Sequence, residues 1–216
     1  MTKRHLIVNA DDLGMSPAVN GGIFAAHRDG IVTSTSLMVL RDAARAAAEA
    51  LAEYPELAVG LHFEVAFVLR TDKPVKGRTP MEECRAQLER FRELVGRDPT
   101  HLDSHKHVHE TELEVGAAAE ALAAELRVPL RNRGIPYERG FYGRDAISPQ
   151  HLTALIESLP PGWTEIGCHP AAGPVPISSY DAERQIELAA LRDPGVKSLL
   201  NVSDVRLCSF AQVDHR

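Results

Sequence analysis

The stretch HLIVNADDLGMSPAVNGGIFAAHRDGIVTSTSLMVL, residues 5–40, decides the fold. Its first apolar run, residues 5–9, is short and leads into two acids, and it predicts a buried strand. Ser16 and Pro17 then supply an N-cap and a first-turn proline, which predict the start of a helix. Residues 31–40 are rich in Val, Thr and Leu and predict the next strand. A strand, a helix and a strand in this order indicate a parallel β-sheet.

The same alternation continues to the end of the chain. Further helices are predicted at 42–54, 80–96, 110–126, 148–159 and 180–191. Two of them begin with an N-cap followed by a proline, as the first helix does: Thr79-Pro80, in a segment that resembles a capping box, and Ser148-Pro149. Further strands are predicted at 57–63, 101–103, 128–131, 163–168 and 205–210. A loop is predicted at 66–79 and a polar, glycine-bearing connection at 132–147.

About seven strands that alternate with helices in 216 residues favour a closed or nearly closed α/β barrel of parallel strands. The sequence contains no linker, repeat or low-complexity tract, so we expect a single domain over residues 1–216. A doubly wound open sheet is the competing fold, because the periodicity of the sequence does not separate it from a barrel.

The composition excludes several classes of protein. Hydrophobic residues make up 44% and charged residues 25% of the chain, which is typical neither of a disordered chain nor of a membrane protein. No apolar run reaches the roughly 18 residues of a membrane span. A net charge of −6 argues against a nucleic-acid partner. The acidic pair near the start argues against a secretory signal, and three scattered cysteines argue against disulfides, so a cytoplasmic location is expected.

Acids and histidines follow the predicted strands at the point where each strand ends. This set comprises Asp11, Asp12, His62, Asp103, His105, His107, His109 and His169. In a parallel α/β fold the carboxyl ends of all strands lie on one face, and that face holds the active site. We therefore expect four separate regions of the sequence to converge in space.

The segment HLDSHKHVHE, residues 101–110, is the strongest single signal. His105, His107 and His109 alternate, so in an extended conformation their side chains would share a side. Imidazole and carboxylate ligands without cysteine suit a catalytic metal that keeps an open position. One metal ligand, with the other histidines in supporting or substrate-facing positions, would be typical. The alternative is a polar, solvated loop.

The other candidates also have structural interpretations. Asp11 and Asp12 could divide metal binding and proton transfer between them, or could be a solvated pair before a helix. His62 lies in an apolar strand and by itself would indicate a buried core histidine. His169 suits a general acid, or a capping residue. Arg131 could hold a base in its charged form or bind substrate, although such arginines more often pair structurally with acids.

Six segments together resemble the YdjC-like carbohydrate deacetylases, a family that includes chitooligosaccharide deacetylases and deacetylases of hopanoid glycolipid synthesis. The segments are LIVNADDLGMS, GIVTSTSLMV, VGLHFEV, THLDSHKHVH, FYGRDAIS and EIGCHPA, and the resemblance runs from residue 5 to about residue 170. It implies an incomplete or irregular TIM-like (β/α) barrel. It also implies a metal-dependent hydrolase that removes the N-acetyl group from an amino sugar in an oligosaccharide or glycolipid.

The resemblance assigns roles to individual residues. It implies that Asp12, His62 and His105 bind one divalent metal ion, that Asp11 is the catalytic base, and that His169 is the second acid–base group. Mg²⁺ is the ion that the resemblance favours, whereas the imidazole ligands would also suit Zn²⁺ or another transition metal.

Substrate contacts are predicted for His107, Arg131 and Tyr142. An aromatic face such as that of Tyr142 can pack on a sugar ring, and the alternative role for Tyr142 is to anchor its loop. Lys106 departs from the family pattern, which often has a histidine there, but it is not among the predicted ligands. The loop after His62 is short, which bears on how long a sugar the groove accepts.

Two other functions compete with the deacetylase interpretation. A barrel metallophosphoesterase would also use Asp and His at strand ends, but it usually needs two metals. A non-catalytic carbohydrate-binding member of the family would be expected to have lost a base or a ligand. The expected partner is an N-acetylated sugar, and a homodimer, common among barrel enzymes, is compatible with the sequence.

Overall fold

A computed structural model describes residues 3–65 and 78–213, so most of the loop predicted at 66–79 lies outside the described residues. The described strands form one parallel sheet: β1 (Arg4–Leu13), β2 (Ser34–Leu37), β3 (Ala58–Phe63), β4 (Leu102–Ser104), β5 (Tyr137–Glu138), β6 (Gly162–Cys168) and β7 (Val205–Cys208). Their order in the sheet is β4-β3-β2-β1-β6-β5, and β7 pairs with β1.

The helices connect these strands. They are α1 (Pro17–Arg28), α2 (Ala44–Ala50), α3 (Pro80–Val95), α4 (Val108–Thr111), α5 (Leu113–Leu126), α6 (Pro149–Ser158), α7 (Asp181–Leu191) and α8 (Pro194–Val202). Three predicted N-caps are confirmed, because the side chains of Ser16, Thr79 and Ser148 each accept a hydrogen bond from a backbone N–H in the first turn. None of the helices in the described ranges is both long and apolar enough to cross a bilayer.

The central strand is β1. One of its edges pairs with β6 from Arg4 to Ala10. Its other edge is shared, because β7 pairs with the first residues of β1 and β2 pairs with the last. The carboxyl end of β1, which carries Asp11 and Asp12, therefore lies in the middle of the sheet's carboxyl face.

The sheet curls into an incomplete barrel. The side chain of Arg131, from the chain next to β4, reaches Asp11 at the end of β1, with Nη1–Oδ2 at 2.6 Å. It also reaches Glu165 on β6, with Nε–Oε1 at 2.8 Å. A flat open sheet would keep β4 and β6 far apart, since three strands lie between them. The prediction of an incomplete TIM-like barrel is confirmed, and the open sheet is excluded.

The prediction of a strand at 128–131 is wrong. Only Leu130 pairs, as an isolated bridge with Leu102. Pro129 lacks an N–H for a ladder, and the chain turns at Asn132, whose φ is 55°. The strand that completes the sheet is instead β5, which lies inside the connection predicted at 132–147.

Other boundaries differ from the predictions. The strands predicted at 31–40 and 205–210 are shorter, at Ser34–Leu37 and Val205–Cys208. The helix predicted at 110–126 is divided into α4 and α5 by the extended backbone of Glu112. Helix α8 was not predicted. Asp193 caps it by accepting from two backbone N–H groups, and Pro194 occupies its first turn.

Candidate active site

The carboxyl ends of the strands open into a cavity of about 730 Å³. The five residues predicted to bind metal or to catalyse all line this cavity: Asp11, Asp12, His62, His105 and His169. They come from β1, β3, the turn after β4 and the end of β6. The expected convergence of four sequence regions is therefore present in the structure.

Asp11 and Asp12 face the same cavity although they are neighbours in a strand. Side chains of successive strand residues normally point to opposite faces. Asp12, however, has a φ of 71°, in the left-handed region, and this turn brings its carboxylate round to the side of Asp11. Such a conformation in a non-glycine residue is a local strain of the kind found at functional sites.

Asp12, His62 and His105 form a candidate metal site. The Oδ1 atom of Asp12 lies 3.5 Å from Nε2 of His62 and 3.2 Å from Nδ1 of His105. One ligand atom from each residue lies within 4.8 Å of the others. Two imidazole nitrogens and one carboxylate oxygen are a donor set that divalent metals accept, and three protein ligands leave positions open for water or substrate. The residues therefore fit the metal that the sequence predicted.

Asp103 orients His62. Nδ1 of His62 lies 2.8 Å from Oδ1 of Asp103, and a carboxylate can only accept, so Nδ1 carries the proton. Ser36 holds the other oxygen of Asp103 through its hydroxyl at 2.7 Å. Burial opposes a charged ring, but Asp103 and Asp12 raise the pKa of His62 well above its ordinary value. A cation on Nε2 would take the place of that second proton.

Arg131 holds Asp11. Its two terminal nitrogens donate to the two oxygens of Asp11, each at 2.6 Å, and its side chain is fully buried. Although burial opposes the carboxylate form, Arg131 lowers the pKa of Asp11 below its ordinary value. Asp11 is therefore ionised at neutral pH. Arg131 also contacts Glu165 and Asp103, so its guanidinium is surrounded by carboxylates and does not line the cavity.

His169 lies beside Asp11. Its Nε2 atom is 3.9 Å from Oδ2 of Asp11, and its Nδ1 atom is 3.9 Å from Oε1 of Glu187. Its backbone N–H donates to Oε2 of Glu187. Burial lowers the pKa of His169, so the ring is neutral at neutral pH.

Helix α7 contributes two residues that were not predicted. Arg184 donates to Oδ2 of Asp12 at 2.6 Å. Glu187 accepts the Tyr180 hydroxyl at 2.7 Å, and burial raises the pKa of Glu187 to about 8. Arg184, Glu187 and the buried Leu191 are spaced as one helical face. Charged residues on the buried face of an amphipathic helix were the signal that could have identified them.

The prediction that His105, His107 and His109 share a side is wrong. The chain is not extended after His105, because Lys106 and His107 have φ values of 56° and 53° and form a tight turn. His105 faces Asp12, whereas His109 is buried and does not line the cavity, and its Nδ1 lies 2.5 Å from the Ser104 hydroxyl. His107 lines the cavity, with its ring centroid 5.1 Å from that of Tyr137.

Aromatic side chains form one wall of the cavity. Tyr142 is 58% exposed and stacks on Tyr180, with ring centroids 4.5 Å apart and planes 5° apart. The same ring meets His169 edge-on at 5.6 Å. An exposed aromatic face therefore lies next to the histidine that is paired with Asp11.

The family model of the YdjC-like proteins matches residues 5–202. The chain belongs to this family. It is 36% identical to a carbohydrate deacetylase of Geobacillus stearothermophilus, over 97% of this chain and 98% of that protein. It is 32% identical to a chitooligosaccharide deacetylase of Yersinia pestis strain Pestoides F, over 95% of this chain and 97% of that protein.

A solved structure supports the fold. A crystal structure from Enterococcus faecalis V583, whose name proposes cleavage of cellobiose-phosphate, superposes with a TM-score of 0.83 at 27% identity, over 97% of this chain and 98% of that one. The predicted resemblance to the YdjC-like family is thus confirmed, and the names of the two deacetylases agree with the predicted function.

A second group of acids and histidine, Asp11, His62 and Asp103, also lies close together in this YdjC-like site. It shares His62 with the first group, and Arg131 is bound to both of its acids. Within the described residues it therefore does not form an independent second metal site, and nothing in the structure supports the metallophosphoesterase interpretation.

Proposed function

We propose that this YdjC-like protein is a metal-dependent deacetylase that removes the N-acetyl group from an amino sugar in an oligosaccharide or glycolipid. The observation that carries the proposal is the placement of the Asp12–His62–His105 group beside Asp11 and His169 in one cavity. The names of relatives at 36% and 32% identity support it.

One divalent metal ion is proposed at Asp12, His62 and His105. When bound there, it supplies a Lewis acid that polarises the acetyl carbonyl and acidifies water. The family resemblance favours Mg²⁺. The two imidazole donors predict that Zn²⁺ or another transition-metal ion binds more tightly than Mg²⁺, because the affinity order of nitrogen ligands favours those metals.

Asp11 is the proposed base. It is ionised, it faces the cavity, and it lies beside the proposed metal ligand Asp12. It accepts a proton from the water that attacks the acetyl carbon. Of the two roles predicted for Arg131, we propose that it keeps Asp11 ionised and fixed, since its guanidinium is buried among carboxylates and does not face substrate.

His169 is the proposed acid. The sugar amine is a poor leaving group until its nitrogen is protonated, and a histidine next to the base can deliver that proton. Because burial lowers the pKa of His169, the ring is neutral before the reaction begins. We therefore propose that it receives its proton during the reaction from Asp11, whose Oδ2 is 3.9 Å from Nε2.

The cavity walls suit a sugar. Tyr142 presents an exposed aromatic face beside His169, on which the apolar face of a sugar ring can pack. His107 lines the same cavity and offers a polar group to sugar hydroxyls. A cytoplasmic location and a homodimer stay predictions.

Acetate release from N-acetylated mono-, di- and oligosaccharides and glycolipids, with Mg²⁺, Mn²⁺ or Zn²⁺ added, tests the proposal. We expect acetate release from at least one N-acetylated amino sugar. We expect no hydrolysis of an aryl phosphodiester, which a metallophosphoesterase would hydrolyse. No acetate from any member of the panel with any of the metals would contradict the proposed function.

A further inference from the structure

The two oxygens of Asp12 have different partners. Oδ1 faces the two imidazoles of the candidate metal site, at 3.5 Å and 3.2 Å. Oδ2 accepts from Nη2 of Arg184 at 2.6 Å. The side chains of Arg184 and Asp12 are only 3% and 2% exposed. The pair is thus removed from water, unlike the surface ion pairs that contribute little.

Arg184 is fixed from several directions. Its Nε donates to the Ser178 hydroxyl at 3.3 Å, and Nη1 lies 3.5 Å from the carbonyl oxygen of His169. Its Nη2 also contacts the Met15 sulfur at 3.7 Å. These contacts hold the guanidinium in place, so Oδ2 of Asp12 stays hydrogen-bonded to it.

We infer that Arg184 is a positioning residue that restricts Asp12 to one metal-binding oxygen and balances its charge when no metal is bound. The inference rests on the proposed metal site. A carboxylate with one oxygen bound to an arginine offers a metal only its other oxygen. More coordination positions would then stay open for water and the acetyl carbonyl.

The Arg184–Asp12 pair should lower the affinity of the site for a metal and make a bound metal a stronger Lewis acid. A guanidinium beside the ligand set repels a dication and withdraws negative charge from the carboxylate, and both effects weaken binding. The same withdrawal leaves the metal more electron-poor, so it polarises the substrate more strongly. Removal of Arg184 should then tighten metal binding and slow turnover.

The test compares Arg184→Met with Arg192→Met. Methionine keeps an apolar stem but removes the charge and the donors. Arg192 is a matched control just beyond the same helix, where it pairs with Asp29 at the surface. For each protein we would measure the dissociation constants of Zn²⁺ and Mn²⁺, the shift in melting temperature on metal addition, and kcat for acetate release.

We expect Arg184→Met to bind Zn²⁺ at least tenfold more tightly than the wild type and to gain more in melting temperature from it. The reason is that the metal replaces the lost counter-ion of a buried carboxylate. Its kcat should fall at least tenfold, and Arg192→Met should match the wild type in all three measurements.

Unchanged or weaker metal binding by Arg184→Met would overturn the inference. If this variant is unfolded without metal, the inference requires that metal restore the fold, and failure to do so would also overturn it. Absence of metal binding by the wild type would instead overturn the proposed metal site itself, and with it this role of Arg184. Measurement of the wild type first separates the two outcomes.

Discussion

Two neighbouring acids, Asp11 and Asp12, are held by arginines from distant parts of the chain. Arg131 binds both oxygens of Asp11, whereas Arg184 binds only one oxygen of Asp12. The first acid is thus an ionised carboxylate whose two oxygens both accept from Arg131, and the second has one oxygen, Oδ1, that faces the two imidazoles of the candidate metal site. Two identical side chains acquire different chemistry because their partners differ.

Asp11→Asn tests this division of roles. The amide cannot accept a proton from water, so acetate release should fall by roughly 10²–10⁴-fold, the usual contribution of a general base. Metal affinity, measured by titration with Zn²⁺, should stay close to that of the wild type because Asp12, His62 and His105 are intact. Acetate release at the wild-type rate would show that Asp11 is not the base.

Glu187 gives a pH dependence of stability. Burial raises its pKa from 4.5 to about 8, so between these values the folded protein holds a proton that the unfolded chain has lost. Its contribution to stability is full below pH 4.5 and is lost as pH rises towards 8, at about 1.4 kcal/mol per pH unit. Glu187→Gln should remove this dependence of the free energy of unfolding on pH.

Urea unfolding of the metal-free protein at several values between pH 5 and pH 8 measures the effect. Relative to the wild type, Glu187→Gln should become more stable as pH rises, whereas Glu183→Gln, on the same helix, should follow the wild type. The same dependence on pH in Glu187→Gln and in the wild type would show that Glu187 does not titrate in this range.

At the scale of single residues, the sequence indicates which side chains meet at the site but not which side chains they pair with. Asp11, Asp12, His62, His105 and His169 were predicted because each follows a strand. The sequence does not indicate Arg184 or the contacts of Arg131, since ion pairs between positions such as 12 and 184 depend on how the helices pack. Local spacing carries no information about such pairs.

At the scale of elements, local chemistry predicted helix starts better than strand ends. The starts of α1, α3 and α6 were predicted because each depends on a capping side chain and an adjacent proline. The turn of the chain after His105 depends on left-handed backbone at two non-glycine residues, Lys106 and His107, which no sequence rule anticipates. That turn is why the alternating histidines do not share a side.

Helix α1 supports the segment that follows His169, and two adjacent glycines test this contact. A Cβ on Gly22 would lie 2.4 Å from Cα of Ala171, in the backbone two residues after His169. A Cβ on Gly21 would lie 3.6 Å from Cβ of Ala172, which is ordinary contact. The two positions therefore differ in the space available for a methyl group, although both lie in helix α1.

Gly22→Ala should destabilise the protein by about 1–3 kcal/mol, the usual cost of overpacking, and should lower activity by displacing His169. Gly21→Ala should be neutral or stabilising by up to about 1 kcal/mol, because alanine favours a helix. Urea unfolding and acetate release check both variants. Equal effects on stability would show that α1 does not pack closely against residue 171.

At the scale of the whole molecule, the barrel encloses a charged centre. Arg131 lies among Asp11, Asp103 and Glu165, and all four side chains are buried. These residues come from separate strands and connections, so the barrel must close before the four side chains meet. The family motifs predicted the barrel, whereas this centre could not be predicted, because it exists only in the closed structure.

The central claim is that one divalent metal at Asp12, His62 and His105 is required for deacetylation. The most direct test is to strip the protein with a chelator and titrate Zn²⁺ back while measuring acetate release from an N-acetylated sugar. We predict loss of activity, full recovery at one metal per chain, and no recovery in His105→Ala. Acetate release that survives complete metal removal, or that requires two metals per chain, would contradict the claim.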